Sequence, residues 1–148
     1  MEQAHVYRVD VEGDGLKTGL LGSPDSLPPL AVASPPQFGG PSGVWSPEHL
    51  FVASVAACLM TTFRAIAEMS GVEIVEYADS ASGKLVQGED RLYAMTEVTL
   101  RPRVVVSDPR DVDRVARLID KAEKVCLISR SISSNVHVEP QVIVAASV

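Results

Sequence analysis

The sequence predicts an α+β fold in which antiparallel sheets wrap a buried central helix. Three observations carry this. A stretch at 50–67 is apolar almost all round. A second helix follows strict i, i+3, i+4 spacing over 112–126. Three segments, 72–86, 91–106 and 136–144, have strand character. Helices and strands occur in separate runs rather than in strict alternation, which favours α+β over a doubly wound sheet.

Residues 5–11 place Val6, Val9 and Val11 among polar neighbours and predict a first strand. Gly13-Asp14-Gly15 is a turn signal, and 16–21 returns as a second strand. Residues 22–47 hold seven of the ten prolines, so most of this stretch must be loop, with a short strand at 30–33. Ser46 is a good N-cap, Pro47 suits the first helical position, and Glu48 suits the positive end of the dipole. The first helix then runs to about Ser70 and ends at Gly71. An all-round apolar helix is buried on most sides, and one small sheet cannot cover it. Together with the Pro-rich arm, this predicts an intertwined homodimer. Gly88-Glu89-Asp90 turns the chain between strands. In the next strand Leu92, Ala94, Thr96, Val98 and Leu100 share one face. Asp108-Pro109 opens the second helix, whose apolar face is Val112, Val115, Leu118, Ile119, Ala122, Val125 and Cys126.

The 148 residues, 46% of them hydrophobic, suit a single domain over 1–148 with a sizeable core. A net charge of −6 argues against nucleic acid and against an anionic membrane surface as partners. The stretch 50–67 is interrupted by Ser54, Thr61, Thr62 and Arg64 and is shorter than the roughly 20 residues of a membrane span. With no basic, apolar leader at the N-terminus, a cytoplasmic protein is expected. Two cysteines make no disulfide scaffold, and His49 and His137 offer no metal spacing with them. Neither metal nor cofactor is expected.

Cys58 lies within the apolar helix and Cys126 at the end of the second. Spacing leaves two readings open: small buried hydrophobes, or a dithiol assembled where the helices pack. The segment Ser46-Pro47-Glu48-His49-Leu50-Phe51-Val52-Ala53-Ser54-Val55-Ala56-Ala57-Cys58 resembles the N-P-E-x-L-x-x-A-x-x-A-C signature of the OsmC/Ohr family of thiol-dependent hydroperoxide reductases. Ala122-x-x-x-Cys126-x-Ile128-Ser129 resembles its second motif, A-x-x-x-C-P-[IV]-S, with Leu127 in place of the proline. The resemblance covers nearly the whole chain. It implies an OsmC-like fold, Cys58 as the peroxidatic thiol and Cys126 as the resolving thiol, and a Cys58–Cys126 disulfide formed on reduction of an organic hydroperoxide. It implies reduction by a dithiol such as a lipoylated protein. The polar run after Cys126 suggests a loose segment able to move.

A thiol in an apolar wall has its pKa raised and needs a cation nearby. The family supplies an arginine held by a glutamate, and Glu48 matches that glutamate. The arginine is missing. Gly13-Asp14-Gly15-Leu16-Lys17 puts Lys17 nearest one family position, and Pro36-Gln37-Phe38-Gly39-Gly40 puts Gln37 at the other. Lys17 is therefore the expected activating charge, with Arg8, Arg64 and Arg130 as other candidates. Glu48 and Cys58, ten positions apart on one helix, would be about 15 Å apart, so either the partner subunit supplies Glu48 or the helix breaks early. Two further readings stay open: an OsmC-like thiol carrier, redox sensor or ligand binder without peroxidase activity, and a structural subunit with inert cysteines.

Overall fold

The computed structural model describes residues 2–146. The chain divides into two units, Met1–Leu50 and Phe51–Val148.

The first unit is a three-stranded antiparallel sheet in the order β1 (Asp10–Gly13), β2 (Thr18–Gly22), β3 (Leu30–Ala33). The hairpin is closed by Asp14, whose N–H donates to the Thr18 carbonyl and whose carboxylate accepts the Thr18 hydroxyl at 2.6 Å. The turn thus falls at 14–17, and both strands lie a few residues later than the sequence predicts. Asp10 pairs with Gly22, the last strand position before Ser23-Pro24. A proline offers no N–H for a ladder, so residues 5–9 have no strand partner. Val6, Tyr7 and Val9 remain exposed. At Arg8, side chains take over: Ser23 Oγ donates to the Arg8 carbonyl, and the Arg8 N–H donates to Asp25.

Helix α1 (Pro47–Met69) starts as expected. Ser46 is fully buried, and its hydroxyl oxygen accepts the His49 N–H at 3.1 Å. The helix ends in a Schellman arrangement. The Gly71 N–H donates to the Glu68 carbonyl and the Val72 N–H to the Ala67 carbonyl, with Gly71 at φ 70°.

In the second unit, the two long strand segments form one bent hairpin, flanked by a third strand. β4 (Ile74–Asp79) and β5 (Ser82–Gln87) pair antiparallel with β7 (Pro102–Val106) and β6 (Tyr93–Leu100). β8 (Asn135–Val138) and β9 (Gln141–Val144) then lie parallel to β6 and β7. Each expected strand is therefore two strands, broken at Ser80-Ala81, Arg101 and Glu139-Pro140. Arg101 fastens the bend: its N–H donates to Asp79, its guanidinium to the Ser80 carbonyl and the Ser82 hydroxyl, and it pairs with Glu139 at 3.4 Å.

The alternation expected along β6 does not persist. Lys84 pairs with Glu97 but Leu85 with Met95, leaving Thr96 as a bulge. A bulge inserts one residue and reverses the faces. Val98 and Leu100 are buried, while Leu92 is 69% exposed.

The second helix also starts later than expected. Asp108 caps a single 3-10 turn at Pro109–Asp111, and α2 (Val112–Val125) follows it. Val115, Ile119 and Ala122 are buried as predicted, but Val125 is half exposed.

The core joins Val55, Leu59, Phe63 and Ala67 of α1 to Val98, Leu100, Val104 and Val106 of the sheet and to Val115, Ile119 and Ala122 of α2. These α1 positions are four apart and form one stripe. Ser54, Ala57, Met60, Thr61, Arg64 and Ala65 are exposed, so a single chain buries one side of α1 rather than most sides. At 23 residues, α1 is long and apolar enough to cross a membrane by length and composition. Its stripe is nevertheless part of a protein core.

Candidate active site

Cys58 and Cys126 meet within the second unit. Cys58 flanks the buried stripe of α1, one position before Leu59. Cys126 is fully buried and has two structural jobs. It is the C-cap of α2, with extended backbone (φ −60°, ψ 114°) and its N–H donating to the Glu123 carbonyl. It also begins the next turn, where the Arg130 N–H donates to its carbonyl. The segment after Cys126, expected to be loose, is a 3-10 turn at Ser129–Ser131. The Ser131 hydroxyl donates to the Leu127 carbonyl at 2.6 Å, and the Ser131 N–H donates to the Ile128 carbonyl.

The two thiols are shifted in opposite directions. Burial pushes Cys58 up. Hydrogen bonds from the Cys126 side chain, the Ile128 N–H, the Thr62 hydroxyl and the Leu127 N–H outweigh it, so the Cys58 thiol sits below its ordinary value. Thr62 Oγ1 is 3.8 Å from Cys58 Sγ. Burial also pushes Cys126 up. The bond to Cys58 and the charge of Cys58 add to that, against partial relief from Ser129.

α1 runs unbroken from Pro47 to Met69, so Glu48 stays ten positions before Cys58, and an early break in the helix is excluded. Glu48 Oε2 is buried with no hydrogen-bond partner among the described residues. The Lys17 ammonium donates to the Phe38 carbonyl at 2.6 Å and lies against Gly39, whose φ of 84° brings the backbone close. The structure thus holds Lys17 on a carbonyl rather than on Glu48. The charge of Arg64 acts on Tyr77. Sequence reasoning missed Thr62 and Ser129. Both were findable: Thr62 follows Cys58 by four residues on a helix, and Ser129 follows Cys126 by three at a cap.

Residues 39–141 match the family described as OsmC-like protein. The chain belongs to the OsmC-like protein family. Among its relatives is the uncharacterized protein YmaD of Bacillus subtilis, 27% identical over 143 residues, covering 94% of this chain and 93% of that one. An OsmC-like protein of unknown function from Vibrio cholerae has the same fold, with a TM-score of 0.85 and 20% identity over 93% of this chain and 99% of that one. An organic hydroperoxide resistance protein from Elizabethkingia anophelis superposes with a TM-score of 0.76 at 22% identity, over 98% of this chain and all of that one. The α+β architecture read from the sequence is therefore the OsmC-like fold.

Proposed function

We propose that this OsmC-like protein is a thiol-dependent peroxidase that reduces organic hydroperoxides. The observation that carries the reading is the meeting of the chain's two cysteines, Cys58 on α1 and Cys126 at the end of α2, which places a second thiol beside the first. A nucleophile must be thiolate, and its partner must stay protonated until it is needed.

The Cys58 thiolate attacks the terminal peroxide oxygen. The O–O bond breaks, the alkoxide leaves and takes a proton as alcohol, and Cys58 becomes a sulfenic acid. The Cys126 sulfur then attacks the Cys58 sulfur. Water leaves with the Cys126 proton, and a Cys58–Cys126 disulfide remains. An external dithiol, such as a lipoylated protein, returns both sulfurs to thiols and is itself oxidised to a disulfide. Leu127, 64% exposed beside the pair, and Met60 on the exposed side of α1 favour a bulky apolar peroxide over hydrogen peroxide.

Glu48 and Lys17 complete the proposed catalytic set, with Lys17 leaving the Phe38 carbonyl that it holds at rest to supply a point charge that Glu48 accepts. In support, Glu48 keeps a buried oxygen with no donor among the described residues, and buried carboxylates require one. We also place the protein in the cytoplasm as a homodimer. The exposed Val6, Tyr7, Val9 and Val11 support the dimer, as does the uncovered side of α1. Sedimentation at micromolar concentration should give a dimer, and a stable monomer there would remove this part of the reading.

The test of the function is turnover with an alkyl hydroperoxide and dihydrolipoamide, compared with hydrogen peroxide. Faster turnover of the alkyl substrate is expected. No turnover with either peroxide would favour a thiol carrier or sensor.

A further inference from the structure

The chain carries a net charge of −6, yet one face of α2 is basic. Arg114, Arg117, Lys121 and Lys124 follow one another by three, four and three positions, so they lie within about 80° of the helix circumference and run about 15 Å along it. All four are exposed. The acids lie on a different flank, where Asp120 and Glu123 border a groove with His137 and Glu139.

Helix stability does not account for this stripe. Like charges one turn apart repel. The helix dipole favours Lys124 in the last turn, but it disfavours Arg114 in the first. Asp113 and Asp120 stand four positions before Arg117 and Lys124, the spacing of a helical ion pair. Among the described residues, however, Arg117, Lys121 and Lys124 form no ion pair. Arg114 is used locally, on the Ser70 carbonyl. At its C-terminal end the stripe meets apolar surface: Val125, four positions after Lys121, is 50% exposed, and Leu127 is 64% exposed. Cys126 lies between them in the chain.

We propose that this face of α2 is the docking surface for the protein that delivers the reducing dithiol, and that this partner is acidic where it meets Arg117, Lys121 and Lys124. Opposite charge speeds the encounter and orients the partner, and Val125 and Leu127 give it an apolar contact beside the cysteines. A uniform polyanion such as nucleic acid would also meet the acids of the adjoining flank. The inference rests on the peroxidase reading for its chemistry and names the partner of that same site. Cys126 is fully buried and Cys58 only partly, so the carrier's first thiolate attacks the Cys58 sulfur of the disulfide. The disulfide bond breaks, and Cys126 leaves as thiolate and takes up a proton. The carrier's second sulfur, as thiolate, then attacks the first. Cys58 leaves and takes up a proton, and the carrier is left as a disulfide.

The test uses the protein oxidised with diamide and reads the rate at which its Cys58–Cys126 disulfide is reduced. The probes are two synthetic peptides carrying dihydrolipoyl-lysine, one flanked by glutamates and one by glutamines, with free dihydrolipoamide as the small dithiol. At low salt the glutamate peptide should reduce the parent about tenfold faster than the glutamine peptide, and about 0.5 M salt should remove the difference. Lys121→Gln/Lys124→Gln should slow reduction by the glutamate peptide about three- to tenfold and leave dihydrolipoamide unaffected. Lys84→Gln/Arg103→Gln removes as much charge, but from cations already paired with Glu97 and Glu76, and should keep the parent rates. The proposal is overturned if the two peptides act alike on the parent, or if the two double variants lose equally. It also falls if a short DNA duplex competes as strongly as a glutamate peptide without the lipoyl group, because the surface then serves any polyanion. Diamide oxidation requires no peroxide. Charge discrimination without peroxide turnover therefore rejects the peroxidase reading and leaves the docking surface standing, and turnover without discrimination does the reverse. A chain that forms no disulfide with diamide overturns both.

Discussion

Cys126, at the end of α2, adjoins Cys58 of α1, although 68 positions separate them in the chain. Burial pushes both thiols up; hydrogen bonding around Cys58 outweighs it there, whereas the neighbouring Cys58 pushes Cys126 further up.

Treatment with one equivalent of an organic hydroperoxide is therefore expected to remove both titratable thiols of each chain. Cys126→Ser should stop at sulfenic acid or pass on to sulfinic acid. Mass spectrometry of intact protein reads each state. Two surviving thiols in the native protein would mark the pair as structural.

Ser129 eases the upward push on Cys126 through its side chain and N–H. Ser129→Ala should raise the Cys126 thiol further and leave less thiolate to attack the sulfenic acid. We expect slower disulfide closure and a larger sulfinic fraction at excess peroxide, with alkylation of Cys58 little changed. An unchanged sulfinic fraction would rule this out.

If Lys17 supplies charge to the thiol, Lys17→Met should slow Cys58 alkylation at pH 7 by about tenfold or more, and Lys17→Arg should keep or raise it. If its task is only to hold the Phe38 carbonyl, alkylation in Lys17→Met will match the parent, and Lys17 leaves the catalytic set.

Asp79 tests the bend. Burial raises its carboxyl above the ordinary range, partly offset by the Arg101 N–H and charge, and its Oδ2 has no partner among the described residues. The folded state thus holds this proton more tightly than the unfolded state. Stability from this group is greatest below the unfolded value of about 3.9 and declines as pH rises through the folded value. Asp79→Asn removes that decline and keeps an oxygen for the Arg101 N–H. Urea midpoints should therefore fall with pH in the parent relative to the variant across and just above the carboxylate range. The opposite slope would contradict the shift.

Gly83 faces Val98 across the β5–β6 ladder, and a Cβ there would come within 2.4 Å of Met95 Cε and 2.5 Å of Val52 Cγ2. Met95 can swing aside, but the β-branched Val52 on α1 cannot. Gly83→Ala should cost about 1–3 kcal/mol, read from urea unfolding. A neutral result would mean α1 can shift off the sheet.

Some features were decided locally and were legible in the residues. Ser46-Pro47-Glu48 and Gly71 bound α1 because caps and glycine turns act within a few positions. The buried positions of α2 follow from helical spacing alone. The two cysteine motifs announce the family because each is a short contiguous pattern. Other features depend on partners distant in sequence. The Thr96 bulge is set by register against β5, so alternation along β6 could not reveal it. The breaks at Ser80, Arg101 and Glu139 arise where three strands bend together around one guanidinium. The union of Cys58 with Cys126 exists only once α2 has packed on α1. The two cysteines come from segments that local spacing does not relate, so tertiary packing alone decides that they meet.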